Sequence, residues 1–407
     1  MKCRHCQSEL TLPLVDLGSA PPSNAYLTVE TLRAPEKYYP LRVLVCTECW
    51  LAQTEDYTQA DELFDADYAY FSSTSTGWLT HAARYTEKMT QQLGLTQQSM
   101  VIEVASNDGY LLKNFVASGI PCLGIEPTAS TAAAAEQLGI PVMREFFGEQ
   151  LGVQLAGEGK QADLITGNNV YAHVPDINDF TRGLKAALKP AGTITLEFPH
   201  LMQLLEHTQF DTVYHEHFSY LSLYVVDRIF KAADLRVWDV EELPTHGGSL
   251  RIYGCHSEDV RRTSPAVSAL LVEEARRGLQ TLATYRHFQA RADRVKDDLL
   301  AFLIEQKRAG KKVAAYGAAA KGNTLLNYAG VKRDLLPFVC DAAAAKQGKF
   351  MPGSHIPILS PAALAEYRPD YLVILPWNIA AEVRQQNARL AELSTKFVTE
   401  VPKLEVA

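Results

Sequence analysis

Val101-Ile102-Glu103-Val104-Ala105-Ser106-Asn107-Asp108-Gly109-Tyr110-Leu111-Leu112 is an apolar run that passes through a turn of small and polar residues into a second apolar segment with helical patterning. A strand, turn and helix in that order bring backbone N–H groups and a helix N-terminus to the carboxyl end of a strand, where open α/β sheets hold their ligands. The turn lacks the G-x-G-x-x-G spacing of a pyrophosphate cradle, whose close backbone approach favours more glycines. A ligand with an amino-acid end suits it better. Glu103, Ala105, Ser106, Asn107, Asp108 and Gly109 are therefore the expected contacts of a cofactor.

Downstream, apolar runs at 121–126, 162–166 and 193–198 alternate with helical patterns, which predicts βαβ units and a parallel sheet. The second run ends in Gly124-Ile125-Glu126-Pro127, and a carboxylate there can accept from both hydroxyls of a ribose. The third leads into Asn168-Asn169, which closes the crevice. An α/β domain holding a different adenosine cofactor would share these features.

Beyond a β-rich stretch at 249–255, a helical pattern with few breakers runs from Ala266 to about Arg308. Lys307, Arg308, Lys311 and Lys312 at its end read as cations solvated at a helix carboxyl terminus. Runs at 312–317, 338–341 and 371–375 then predict a second, smaller α/β domain. Its turn Gly317-Ala-Ala-Ala-Lys321-Gly322-Asn323-Thr324 can meet a diphosphate with backbone amides and an ammonium, or be a plain strand-to-helix turn. It lacks the spacing of an ATP-binding loop.

At the front, Cys3-x-x-Cys6 and Cys46-x-x-Cys49 supply two pairs of thiolates, the set that closes a tetrahedral zinc shell and leaves no position for water. A structural metal follows. The chain has 407 residues, too many for one core, and a formal net charge of -8 with no long basic run, which argues against nucleic acid as a partner. No apolar run reaches the length of a membrane span, and the opening Met1-Lys2-Cys3 is not a secretion signal, so a cytoplasmic chain with reduced cysteines is expected.

Asp211-Thr-Val-Tyr214-His215-Glu216-His217-Phe218-Ser219-Tyr220 packs imidazoles, carboxylates and phenols together. Such groups are costly to bury without use, and H-E-x-x-H spacing is absent, so a catalytic zinc is not indicated. The segment reads either as acid/base machinery or as a satisfied hydrogen-bond cluster at a domain seam.

In this order the cysteine knuckles, Glu103–Gly109, Asn168–His173, Tyr214–His217, His246-Gly-Gly-Ser-Leu-Arg251 and Gly317–Gly322 resemble the sugar 3-C-methyltransferases, which modify nucleotide-linked 4-keto-deoxyhexoses. The resemblance spans nearly the whole chain. It implies a class I methyltransferase Rossmann-like domain, α/β in class, with an N-terminal zinc module and a second, C-terminal Rossmann-like domain. The corresponding ranges are 1–70 for the zinc module, 71–260 for the S-adenosylmethionine domain, 261–310 for a helical connector and 311–407 for the domain contacting the nucleotide sugar. His217 matches the family's base, Tyr214 and Glu216 its partners, and Tyr68 and His173 further residues of the sugar pocket. His246, Arg251, Gly317, Lys321 and Asn323 are the expected substrate contacts. O- or N-methylation of a related sugar, or a zinc protein that only binds one, are the competing readings.

Overall fold

The computed structural model describes residues 1–55, 57 and 71–407; Tyr68 lies outside them. At the front, β1 (Leu12–Ala20), β2 (Tyr39–Val45) and β3 (Ala52–Thr54) form an antiparallel meander. In β2 the buried residues Leu41, Val43 and Val45 alternate with partly exposed ones, the period of a strand with one face on the core. The fourth strand of this sheet comes from far along the chain. It is Ser219–Tyr220, which pairs with β3 through Gln53↔Ser219 and Ala52↔Tyr220.

A seven-stranded sheet follows, made of β4 (Val101–Val104), β5 (Cys122–Ile125), β6 (Val142–Met143), β7 (Ala162–Asn168), β8 (Leu188–Pro199), β10 (Leu235–Leu243) and β11 (Ser249–His256), with β9 being the Ser219–Tyr220 strand of the first sheet. Its order is β10-β11-β8-β7-β4-β5-β6. Strands β4 to β8 run parallel, as their continuous apolar runs predict for strands covered on both faces. The other edge departs from expectation. Strand β11 is antiparallel to both β8 and β10; toward β10, the Pro244–Gly248 connection is too short for the crossover that parallel neighbours need. Chain order reverses at β4, so the turn after it opens at a topological switch point.

The third sheet comprises β12 (Val313–Tyr316), β13 (Val339–Cys340), β14 (Ile358–Leu359), β15 (Tyr371–Ile374), β16 (Lys396–Thr399) and β17 (Glu405–Val406), in the order β14-β13-β12-β15-β16-β17. All pairs but β16–β17 are parallel. This sheet too reverses at its first strand, which places the Gly317 turn at a second switch point.

The stretch from Ala266 to Arg308 is not one helix. It divides into Pro265–Arg276, Leu282–Arg286 and Phe288–Arg308, with Thr281 extended at φ −135° and ψ 141° between the first two. The break redirects the chain so that the last helix packs on β1 of the first sheet. Lys307 and Arg308 are exposed at its end as expected, with Lys307 2.9 Å from Asp334. Among the described residues no helix is long and apolar enough to cross a membrane.

Candidate active site and metal centre

The turn after β4 is strained and tightly packed. Ala105 and Asn107 adopt positive φ of 56° and 50°, uncommon for residues with a Cβ. Gly109, at φ 77°, leaves no room for one, since a Cβ there would lie 2.4 Å from Ile140 Cδ1. Glu126, at the end of β5, accepts the Asn107 N–H on Oε2 and the Thr128 N–H on Oε1, each at 2.9 Å, so it ties the turn to the neighbouring strand. On the outer side, Asn107 Oδ1 and Asp108 Oδ2 accept the backbone N–H groups of Ser72 and Ser73.

What this turn leaves open is a set of acceptors. Among the described residues, Ser106 Oγ, Asp108 Oδ1, Asn168 Oδ1 and Asn169 Oδ1 are buried with no hydrogen-bond partner, and Glu103 is buried beside them. Orphan polar atoms are rare in native interiors, so a concentration at one turn marks a ligand. This set suits a molecule carrying an ammonium and ribose hydroxyls. Burial drives the Glu103 carboxyl well above its usual range, and the neighbouring Tyr110 hydroxyl offsets this only in part. Trp78, near the start of the Thr76–Leu93 helix, stacks with Tyr110 at 5.9 Å and walls the turn.

Asn169 reaches across to the β10–β11 hairpin, where its Nδ2 lies 3.0 Å from His246 Nε2. Trp78 meets the same imidazole edge to face at 5.2 Å. Burial first, then the Lys321 charge, lowers His246 to about 4. Lys321 arrives from the third sheet: its ammonium donates to Asn378 Oδ1 at 3.3 Å and sits 4.4 Å from the Trp377 ring centre. The Trp377 indole N–H in turn donates to Asp211 Oδ2 at 2.7 Å. Asp211 is pushed up to about 6 by burial, against the pull of Lys321. Gly317 closes this seam, since at φ 92° its Cβ position lies 2.3 Å from Pro376 Cδ.

His217 is 7% exposed. Its Nδ1 lies 2.8 Å from the Thr212 carbonyl, so Nδ1 carries the proton and Nε2 keeps its lone pair; among the described residues no group hydrogen-bonds Nε2. Tyr214 lies over the ring at 3.9 Å between centroids and His173 meets it edge to face at 4.6 Å. Burial, reinforced by the His173 charge, lowers His217 well below the usual range, and burial takes His173 to about 4. Glu216 is raised to about 7 by burial, with Oε1 accepting from Asn24 Nδ2 at 3.2 Å. His215 points the other way, toward the Tyr39 and Pro40 carbonyls of β2.

Two expected substrate contacts are placed differently. Arg251 is 3% exposed, with its guanidinium 2.6 Å from Glu197 and 3.3 Å from Glu241 and over the Tyr85 ring at 4.6 Å. An unpaired cation at that depth would be costly, so the charge is taken up by Glu197 and holds the end of β8. Burial would raise Glu197, but the His81 hydrogen bond and the Arg251 charge outweigh it and bring it to about 2. Asn323 is 1% exposed and its amide donates to the Ser23 carbonyl at 2.6 Å, which ties the third sheet to the front of the chain. Asn24, Trp78 and Trp377 had no assigned role in the sequence, and only their contacts bring them in.

The four cysteines converge. Their Sγ atoms all lie within 4.8 Å of one another, with Cys3–Cys49 at 3.5 Å and Cys6–Cys46 at 3.4 Å. Sulfurs around a tetrahedral zinc sit about 3.8 Å apart given Zn–S bonds of about 2.3 Å, so the cage fits that ion. Both knuckles close alike: Gln7 and Trp50, each the residue after a second cysteine, take φ 64° and donate to the carbonyls of Cys3 and Cys46.

Comparison with known proteins agrees with this arrangement. A family model of a zinc binding domain matches residues 3–64, one of a methyltransferase domain 78–240, and one of a C-methyltransferase C-terminal domain 244–402. The chain is 34% identical to the C-methyltransferase NovU of Streptomyces niveus over 405 residues, covering 100% of this chain and 96% of that protein. Solved structures are more distant. Magnesium protoporphyrin IX methyltransferase from Synechocystis PCC 6803 is 13% identical, covers 44% of this chain and 84% of its own, and has a TM-score of 0.36. For PH0226 of Pyrococcus horikoshii OT3 the values are 12%, 49%, 100% and 0.37. The family match is what carries weight: this chain is an enzyme of the S-adenosylmethionine-dependent C-methyltransferase family, with a four-cysteine cage that fits zinc.

Proposed function

We propose that the enzyme methylates C3 of a nucleotide-linked 4-keto-deoxy sugar, with His217 as the base. The observation that carries this reading is the Nδ1 hydrogen bond of His217 to the Thr212 carbonyl, which leaves Nε2 as a proton acceptor in a buried site. A C4 ketone acidifies the C3 proton. Nε2 of His217 takes that proton, and the electrons of the C3–H bond pass into the enolate, with charge gathering on the C4 oxygen. Tyr214, packed against the His217 ring, is the donor for that oxygen. The cofactor, when bound, supplies an electrophilic sulfonium methyl. Lys321 and the Gly317 turn would meet the diphosphate of the sugar nucleotide.

Incubation with a nucleotide 4-keto-deoxy sugar in deuterated water tests this. Wild type should wash deuterium into C3. His217→Ala should lose both washout and methyl transfer, while S-adenosylhomocysteine still raises its melting temperature. Wild type without washout, or His217→Ala with near-normal turnover, sinks the mechanism.

A further inference from the structure

Arg4 stands between two metal-binding cysteines, in a turn where a long cation would ordinarily reach into solvent. It is 8% exposed instead. Its guanidinium crosses to the loops that carry the two imidazoles: Nε donates to the Phe218 carbonyl at 3.2 Å, and one terminal nitrogen donates to the Pro175 carbonyl at 3.4 Å. The other donates to the Thr54 carbonyl at 2.7 Å. The guanidinium carbon also lies 5.2 Å from the centre of the Phe218 ring. Phe218 directly follows His217, and Pro175 lies two residues after His173.

The remaining contacts close a frame. Thr54 donates its hydroxyl to the His217 carbonyl and its N–H to the Phe218 carbonyl, each at 3.1 Å. Arg4's own N–H is accepted by Gln53 Oε1 at 2.9 Å, and Gln53 Nε2 donates to Cys3 Sγ at 3.3 Å. The metal knuckle, β3 and the His217 backbone are thus joined through one side chain and its neighbours.

We infer that Arg4 is a positioning residue, which fixes the His217 and His173 backbones from within the metal knuckle so that the two imidazoles hold their edge-to-face geometry. The inference rests on the reading of His217 as base. A planar fork with donors on three nitrogens can serve three carbonyls lying in different directions, which a lysine ammonium on a flexible stem cannot do in one fixed geometry. A displacement of about 1 Å at a reacting group costs on the order of a hundredfold in rate, so loss of the frame acts on turnover and not on cofactor affinity.

The zinc-loaded full-length variants Arg4→Lys and Arg4→Ala provide the test. Expected is a fall in kcat of roughly ten- to a hundredfold, with zinc content and the dissociation constant of S-adenosylhomocysteine unchanged. In 15N NMR of histidine-labelled protein, the Nδ1–H tautomer signal of His217 should be single in wild type and mixed in Arg4→Ala. Should Arg4→Ala lose its metal, Thr54→Val decides, since it removes a hydrogen bond to His217 and leaves the knuckle intact; a several-fold fall in kcat is expected. A wild-type kcat and tautomer signal in metal-bound Arg4 variants, or a wild-type kcat in Thr54→Val, overturns the inference. These outcomes are separable from failure of the base itself, which His217→Ala reports independently.

Discussion

At the scale of single residues, the site is a set of titratable groups moved by burial. As the proposed base, His217 acts as the neutral imidazole; its ring packs with those of His173, Tyr214 and Tyr220, and the charges of His173, Lys321 and His246 act on it. Protonation removes the base, so activity is present above its pKa and lost as pH falls through it. Because burial and the His173 charge lower that pKa, the acidic limb of kcat/KM, which reports the free enzyme, should lie below pH 6.5. A limb at or above 6.5 would mean that another group is the base. Stability is a poorer probe. His173, lowered from 6.5 to about 4, contributes stability that is present above 6.5 and lost as pH falls toward 4. Glu216, raised from 4.5 to about 7, contributes stability that is present below 4.5 and lost as pH rises toward 7. Between about 4.5 and 6.5 the two oppose.

At the scale of elements, the turn after β4 joins strand, proposed cofactor contacts and helix packing. Gly109→Ala must place a Cβ at φ 77° and 2.4 Å from Ile140 Cδ1, 3.2 Å from Ala135 Cβ. We expect about 1–3 kcal/mol of lost stability, seen as a lower melting temperature, together with weaker S-adenosylhomocysteine binding by calorimetry. Wild-type values in both would mean that the turn is not packed as described. This element was legible in advance because strand, turn and helix follow one another in sequence. The strands at 101–104, 122–125 and 162–168 announced themselves as apolar runs for the same reason. The two-residue strands β6, β9 and β14, and the broken helix at 276–288, did not stand out, because a pair of residues has no periodicity and no proline marks the break.

At the scale of the molecule, the three sheets are stitched by contacts that cross between them. The first sheet takes its edge strand from beside the His217 segment, and Asn24 of the front segment holds Glu216. Zinc stabilises the turns at the root of this stitching, and binding free energy in such cages is folding free energy. Cys46→Ser should therefore lose zinc, measured by elemental analysis, and melt several degrees lower. Unchanged metal content and melting would remove the zinc assignment.

The sequence by itself determined what depends on neighbours along the chain: two cysteine knuckles, the turn into which β4 leads, the class of fold, and the cluster of titratable groups at 214–217. Tertiary structure alone decided which of those groups meet. It turned His215 toward β2, buried Arg251 against Glu197, and brought Arg4 and Asn24 to the acid/base segment across 214 and 192 residues of chain. Contacts at such separations leave no period or spacing to read. Each is a single side chain whose partner is set by how whole sheets pack, and not by anything in its own neighbourhood.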